Sequence, residues 1–220
     1  GQYQQVGNLV QEDLAFSYFY FVEKDQEKIL WPWEGCGNEE FTWRYLHTYA
    51  STALDCKTQT AQPGSLHETE YIAPITRDGA QVHLRGYIFE RKTSLPWKKV
   101  FGQLQLGGER TYGWGRVELL GLSIETETFW PGWCVDTNGV RPQLKPIEIE
   151  KEMDVYAHLN VVKTLEVRGN VEPLMGRETT QNHQHGQTLS AGKIFWTPGS
   201  RISEPPLLEI GYNGIWQSVG

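Results

Sequence analysis

The chain has 220 residues, 39% hydrophobic and 21% charged, with a formal net charge of −7. That is ordinary globular composition, long enough to bury a core as one large domain or two small ones. No apolar run approaches the roughly 20 residues that cross a bilayer, and no signal-peptide pattern opens the chain, which starts on Gly1 as a fragment would. The acidic balance argues against a free-standing nucleic-acid binder, whose charge is usually basic. Cys36, Cys56 and Cys134 are an odd set without C-x-x-C spacing, and read as free thiols of a reducing compartment such as the cytoplasm.

Residues 1–23 alternate weakly and end in the aromatic run Phe16 to Phe21, which predicts a strand. Glu23 to Lys28 is a charged turn, and Trp31-Pro32-Trp33 starts a loop carrying Gly35 and Gly37. Phe41 to Leu54 has apolar residues at helical spacing, but Thr42, Thr48, Ser51 and Thr52 oppose a helix, so its type stays open. Leu66 to Ile75 reads as a strand, as does Gln81 to Glu90 with Val82, Leu84, Gly86 and Ile88 on one face. Between them, Thr76 to Ala80 contains the Asp78-Gly79 pair favoured in hairpins.

Leu95 to Leu106 predicts a short helix, because Trp97, Phe101 and Leu104 fall at i, i+4 and i+7 behind Pro96. Val117 to Glu127 predicts a strand, followed by a connection punctuated by Trp130-Pro-Gly-Trp133 and Thr137-Asn-Gly139. Val155 to Val171 alternates as one or two strands around Gly169, and Thr179 to Gly186 is polar and expected to be mobile. Gly192 to Trp196 and Leu207 to Ile210 close the pattern as strands, and no internal repeat is visible. The fold class expected is α+β with strands dominant.

The richest segment runs from Leu106 to Leu119, L-G-G-E-R-T-Y-G-W-G-R-V-E-L. Gly107, Gly108, Gly113 and Gly115 permit positive φ and close backbone approach. Arg110 and Arg116 supply forked donors for phosphate oxygens, and Tyr112 and Trp114 supply flat faces for stacking. The pattern is no dinucleotide fingerprint, because Glu118 stands where a third glycine belongs, and no Gly-Lys-Ser/Thr makes it a Walker loop. From composition alone a structural hairpin remains the alternative. Around it, Arg91, Lys92, Lys98, Lys99, Arg110 and Arg116 face only Glu109, a positive island in an acidic chain.

Gly107, Gly108, Arg110, Thr111, Gly113, Trp114, Gly115, Arg116 and Val117 resemble the glycine-rich loop of the RAMP superfamily, the repeat-associated proteins that build CRISPR effector complexes. The stretch Thr52 to Ile72 is similar to the thumb of backbone subunits in type III complexes, with Thr58, Thr60, Ala61, Gly64, Leu66 and Glu70 in the order expected. The resemblance covers roughly residues 50–120. It implies a modified ferredoxin-like (RNA-recognition-motif-like) fold, with a core over residues 1–128 and a β-rich extension or completing half over 129–220. It also implies a non-catalytic subunit that binds guide RNA and target RNA beside other effector subunits. The glycines would admit the RNA backbone, Arg110, Arg116, Lys98 and Lys99 would meet phosphates, and the tip from Thr58 to Leu66 would wedge into the duplex. The chain departs from the family by reaching its thumb-like segment at residue 52. Either the first ferredoxin half is shortened, the start lies outside this sequence, or another chain completes the sheet. No cleaving aspartate is carried over, and Asp55 matches no known chemistry of the family.

Other constellations are weaker. His183 and His185 would share a strand face and hold a zinc ion, yet lack a third ligand nearby, so neither a metal nor a cofactor is expected. Glu68 and Glu70 would share a face, but same-strand neighbours rarely flank a scissile bond. Ser65 and His67 make no nucleophile–base pair, and no Gly-x-Ser-x-Gly elbow is present. Trp31, Trp33, Trp130 and Trp133, beside proline and glycine, give a second function class, a glycan-binding β module that stacks sugars on rings. A third is a CRISPR repeat-processing ribonuclease, for which His47 is the one early candidate base.

Overall fold

A computed structural model describes residues 2–23, 29, 37–91, 95–123, 128–147, 152–179, 185–189 and 192–219. In chain order the first elements are α1 (Gln2–Asp13), β1 (Leu14–Phe16), β2 (Tyr20–Glu23), α2 (Gly37–Tyr45), β3 (Leu46–Ser51), β4 (His67–Ile72), β5 (Val82–Arg85) and β6 (Ile88–Glu90). Short 3-10 turns follow at Trp97–Lys99, Phe101–Gln103 and Arg110–Tyr112. The strands β7 (Thr128–Trp130), β8 (Trp133–Asp136), β9 (Gln143–Pro146), β10 (Met153–Asp154), β11 (Leu159–Asn160), β12 (Glu166–Arg168) and β13 (Val171–Leu174) come next. The chain closes with β14 (Arg177–Thr179), β15 (His185–Leu189), β16 (Lys193–Trp196), β17 (Arg201–Ser203), β18 (Leu208–Ile210) and β19 (Trp216–Ser218). The protein is α+β and strand-rich, and none of its described helices is long and apolar enough to cross a membrane.

The chain forms two compact units, residues 1–18 with 87–220, and residues 19–86. The boundary expected at residue 128 falls inside the first unit, and the thumb-like segment belongs to the second. The first unit is built on an eight-stranded sheet ordered β13-β16-β11-β19-β18-β9-β8-β7, all antiparallel except the parallel pair β11–β19. A three-stranded sheet, β10-β17-β12, and the pairs β1–β6 and β14–β15 complete it. Its core is aromatic at the centre: Trp130, Trp133 and Trp216 are each 0% exposed. The Trp216 ring meets Trp130 at 5.3 Å and Trp133 at 5.2 Å in edge-to-face arrangements, the geometry that ring quadrupoles prefer. Leu144, Leu159, Leu208 and Ile210 are buried with them.

The second unit pairs β2 with β5 and β3 with β4. Phe41 and Tyr45 of α2 stack against Phe21 of β2. Buried Glu23 is held by Arg44, whose Nε donates to Oε1 at 2.8 Å, and by the Tyr45 hydroxyl at 2.6 Å. A charge out of water needs such partners. Burial and the Glu23 contact push the Tyr45 hydroxyl up to about 12, and the carboxylate contacts hold the Arg44 guanidinium above its ordinary range.

Several expected elements are corrected. Gln2–Asp13 is a helix, not part of a strand; straight-chain glutamines favour helix and outweigh a weak alternation. The undecided stretch 41–54 is divided, α2 ending at Tyr45 where β3 begins. Leu95–Leu106 forms 3-10 turns rather than an α-helix, Val100 and Gly102 being poor helix residues. Trp97 and Phe101 still pack edge-on at 5.5 Å. Gln81–Glu90 breaks after Arg85, because β5 pairs with β2 whereas β6 pairs with β1. The Asp78-Gly79 turn forms, closed by the Thr76 amide on the Ala80 carbonyl at 2.8 Å. It is flanked only by the single bridge Ile75–Gln81. The strand expected from Val117 is absent over 117–123, which carries no strand or bridge and leaves Leu119, Leu120 and Leu122 exposed; residues 124–127 lie outside the described residues. The segment 179–186, expected to be loop, supplies the ends of the paired strands β14 and β15 on either side of residues 180–184, which lie outside the described residues. The strands expected near Gly192–Trp196 and Leu207–Ile210 are β16 and β18.

Candidate functional site

The glycine-rich segment is a closed hairpin loop in the first unit. Gln105 and Arg116 form an antiparallel bridge, with the Leu106 amide on the Gly115 carbonyl at 2.8 Å and the Val117 amide on the Leu104 carbonyl at 3.3 Å. Two glycines are dictated by this geometry. Gly115 has φ +74°, and a Cβ there would lie 1.9 Å from the Leu106 carbonyl oxygen, so only glycine lets the two limbs close. Gly113, at φ +87°, ends the 3-10 turn Arg110–Tyr112 in the left-handed region.

Inside the loop the backbone itself is unusual. Glu109 is left-handed at φ +50°, ψ +28°, immediately before the right-handed turn Arg110–Tyr112. A left-handed residue followed by right-handed ones aims successive N–H groups to one side and makes a concavity suited to an anion. Among the described residues, the amides of Gly107, Gly108, Glu109, Arg110 and Thr111 donate to no backbone carbonyl. Arg110, Arg116 and Thr111 are exposed, Tyr112 is 80% exposed, and Trp114 is half-buried. Neither arginine has an ion-pair partner among the described residues. Lys98 and Lys99 are exposed on a nearby stretch of chain, Lys98 holding its ammonium 5.5 Å from the Trp97 ring centre. Lys92 lies outside the described residues. Forked cations, an open run of amides and a bare phenol ring can together take an anionic, planar ligand.

The thumb-like segment is a second, separate feature, in the second unit. It is the connection 52–66 at the end of the β3–β4 hairpin. Asp55 organises it, its carboxylate accepting the amides of Lys57 at 2.7 Å and Thr58 at 3.1 Å, which holds the carboxyl below its ordinary range. The Thr58 and Thr60 hydroxyls bond each other at 2.8 Å, Leu54 bridges Ala61, and Gly64 turns at φ +75°. Leu54 and Leu66 are 62% and 69% exposed, apolar side chains offered to solvent.

Other candidates separate cleanly. Trp130 and Trp133 cannot stack on a ligand, because both are sealed in the core; the Pro131-Gly132 turn between them joins β7 to β8 and folds the rings inward. Trp31, Trp33, Cys36 and His183 lie outside the described residues; Cys56 and Cys134 are free and exposed. No cluster of metal-binding side chains occurs among the described residues. Glu68 and Glu70 share one face of β4, opposite Ala50 and Thr48 and with no opposing carboxylate. The Ser65 hydroxyl bonds the Thr52 hydroxyl rather than the His67 ring, whose Nε2 meets Ser51 and whose Nδ1 meets the Ser65 carbonyl. His47 sits in β3 with its ring edge-on to Tyr71, and no hydrogen-bond partner among the described residues reaches its Nε2.

Sequence reasoning missed one polar chain in the first unit. The Tyr18 hydroxyl meets Nδ1 of buried His158, and His158 Nε2 meets the Glu172 carboxylate. Burial, the first of its causes, pushes the Tyr18 phenol up to about 12. Residues 18, 158 and 172 are too far apart in sequence for any local pattern to connect them. Compared with models of protein families, with curated proteins and with solved structures, the chain matches none.

Proposed function

We propose that this chain is a non-catalytic RNA-binding subunit of a type III-like CRISPR effector complex, holding guide RNA at the loop Leu106–Leu119. The observation that carries it is the combination at Gly107 to Arg116. A left-handed Glu109 lies within a run of amides, Gly107 to Thr111, that donate to no backbone carbonyl among the described residues, with exposed Arg110 and Arg116 on the same loop and a tyrosine ring 80% exposed. Phosphate oxygens would take the amides and guanidinium groups, and a base would lie on Tyr112. The half-buried Trp114 would brace the loop.

On the same assignment the core is a modified ferredoxin-like domain, the exposed Leu66 tip enters the guide–target duplex, and the other partners are effector subunits of the cytoplasm. An acidic chain with a basic stretch from Arg91 to Arg116 suits a subunit that meets RNA at one place and protein elsewhere. The experiment is binding of single-stranded RNA by the full chain at low and high salt, beside Arg110→Glu/Arg116→Glu. Wild-type binding that falls steeply with salt and is lost in the double variant is expected. Binding by the variant equal to wild type would remove the loop from the site.

A further inference from the structure

The register of the eight-stranded sheet traces its core face from strand to strand. Ile210 lies opposite Trp216, Trp216 beside Leu159, and Leu159 opposite Trp196. Paired residues share a face, so these side chains form one surface. Trp196 pairs in turn with Val171, and Ile194 with Pro173, which carries the same face onto β13. Burial fails along that path. Ile210, Trp216 and Leu159 are buried, Trp196 is half-buried, and Ile194 and Val171 are 58% and 51% exposed beside exposed Pro173. The opposite face stays covered at this end, since Phe195 is buried.

The helix α1 carries an opening of the matching kind. Val6, Leu9 and Val10 recur at i, i+3 and i+4, on one side of the helix. Val6 is 57% and Leu9 46% exposed. Helices as short as this are marginal in water and take most of their stability from packing an apolar side. At about 1.5 Å per residue α1 is long enough to cross β13 and β16, whose axes lie about 4.8 Å apart. Its residues from Gln2 to Gln11 carry no charge, so laying it on an apolar surface buries none of them as an ion. Strand addition is the poorer way to cover this end of the sheet. β13 is the end strand, and Pro173 within it has no N–H to offer a newcomer.

We infer that the surface formed by Val171, Pro173, Ile194 and Trp196 receives α1 of a second copy of this chain, in a two-fold dimer. Both halves of a helix-on-sheet contact are present on one chain, which leaves each of them open to solvent. A two-fold axis makes the contact occur twice, each copy giving its helix to the other's face and taking the other's helix on its own. That reciprocity supplies the area. A stable interface takes about 800 Å² from each partner, more than one short patch offers, and each copy contributes a helix as well as a face. Val6 and Leu9 are the anchors from the helix, and Ile194 and Val171 receive them. The inference is independent of the RNA-binding assignment, because none of these residues lies in the glycine-rich loop.

The test is the mass of the full chain in solution, by sedimentation velocity over a range of concentrations, for wild type, Val6→Glu/Leu9→Glu and Val171→Glu/Ile194→Glu. The wild type should be dimeric. Either double variant should raise the dimer Kd by at least about 30-fold, the effect of losing one strong interface anchor. All four substituted side chains are exposed, and matched circular dichroism and thermal melts establish that each variant folds. Should a glutamate variant fail to fold, Leu9→Ala and Ile194→Thr take its place and should weaken the dimer to a smaller degree. Mixing the two double variants decides who meets whom. One helix and one face remain intact between them, so the mixture should recover dimer that neither variant forms alone. A monomeric wild type overturns the inference, as does a wild-type dimer that either variant leaves intact. Failure of the mixture to recover dimer means that helix meets helix or face meets face, and overturns it too.

Discussion

The eight-stranded sheet, antiparallel but for one pair, and the antiparallel β3–β4 hairpin are both rich in aromatic residues, yet they place their rings in opposite ways. In the sheet, Trp216 meets both Trp130 and Trp133 edge-on, and all three lose all exposure. In the hairpin, Tyr49 keeps more than half of its surface in solvent, and along β4 the half-buried Thr69 and Tyr71 alternate with the exposed Glu68, Glu70 and Ile72. A sheet face stabilises a fold only if something covers it. The contrast teaches that the core of the first unit is built on buried tryptophans, whereas the hairpin leaves most of its side chains within reach of solvent.

The sharpest way to break that contrast is to remove a central ring. Trp216→Ala should cost about 3–5 kcal/mol in chemical denaturation, since the cavity would lie between two other buried indoles; a cost below about 1 kcal/mol would contradict the central role given to this cluster. A smaller effect is expected at alkaline pH. The Tyr18 phenol, raised to about 12 from 10.0 by burial, keeps its proton in the folded state after the unfolded chain has lost it. Stability is therefore full below pH 10 and falls as pH rises from about 10 through 12. Tyr18→Phe should flatten that fall in alkaline melts, leaving the part due to Tyr45; an unchanged pH slope would mean Tyr18 is not held as described. The smallest effect is at the hairpin tip. Leu66→Ala should change stability by less than about 0.5 kcal/mol, because Leu66 is 69% exposed. On the proposed function it should nevertheless alter duplex geometry in an assembled complex, and unchanged geometry there would remove the wedge role.

What was legible in the sequence was local. The glycines of 107–115 announced a tight loop, and the Asp78-Gly79 turn and the strands β16 and β18 followed from turn chemistry and alternation. What was not legible was non-local. Trp130-Pro-Gly-Trp133 looked like an exposed loop because proline and glycine mark surfaces, but the turn joins two sheet strands and folds both rings inward. The apolar run after Gly115 looked like a strand, but beyond the Val117 amide on the Leu104 carbonyl it forms no strand over 117–123. The open end of the sheet's core face was hidden because V-E-P and I-F-W each show only half of it, and the cross-strand register assembles the whole. Glu109 in the left-handed region had no residue-type signal at all, since such a conformation is uncommon outside glycine and asparagine.

The most direct measurement for the RNA assignment is the salt dependence of single-stranded RNA affinity, taken as the slope of log K against log salt, for wild type and for Arg110→Gln/Arg116→Gln. If each guanidinium neutralises one phosphate, the neutral variant should have a slope shallower by roughly 1.4, about 0.7 for each contact on a single strand, with Tyr112 still available for stacking. Identical slopes in the two proteins would contradict phosphate binding by the glycine-rich loop.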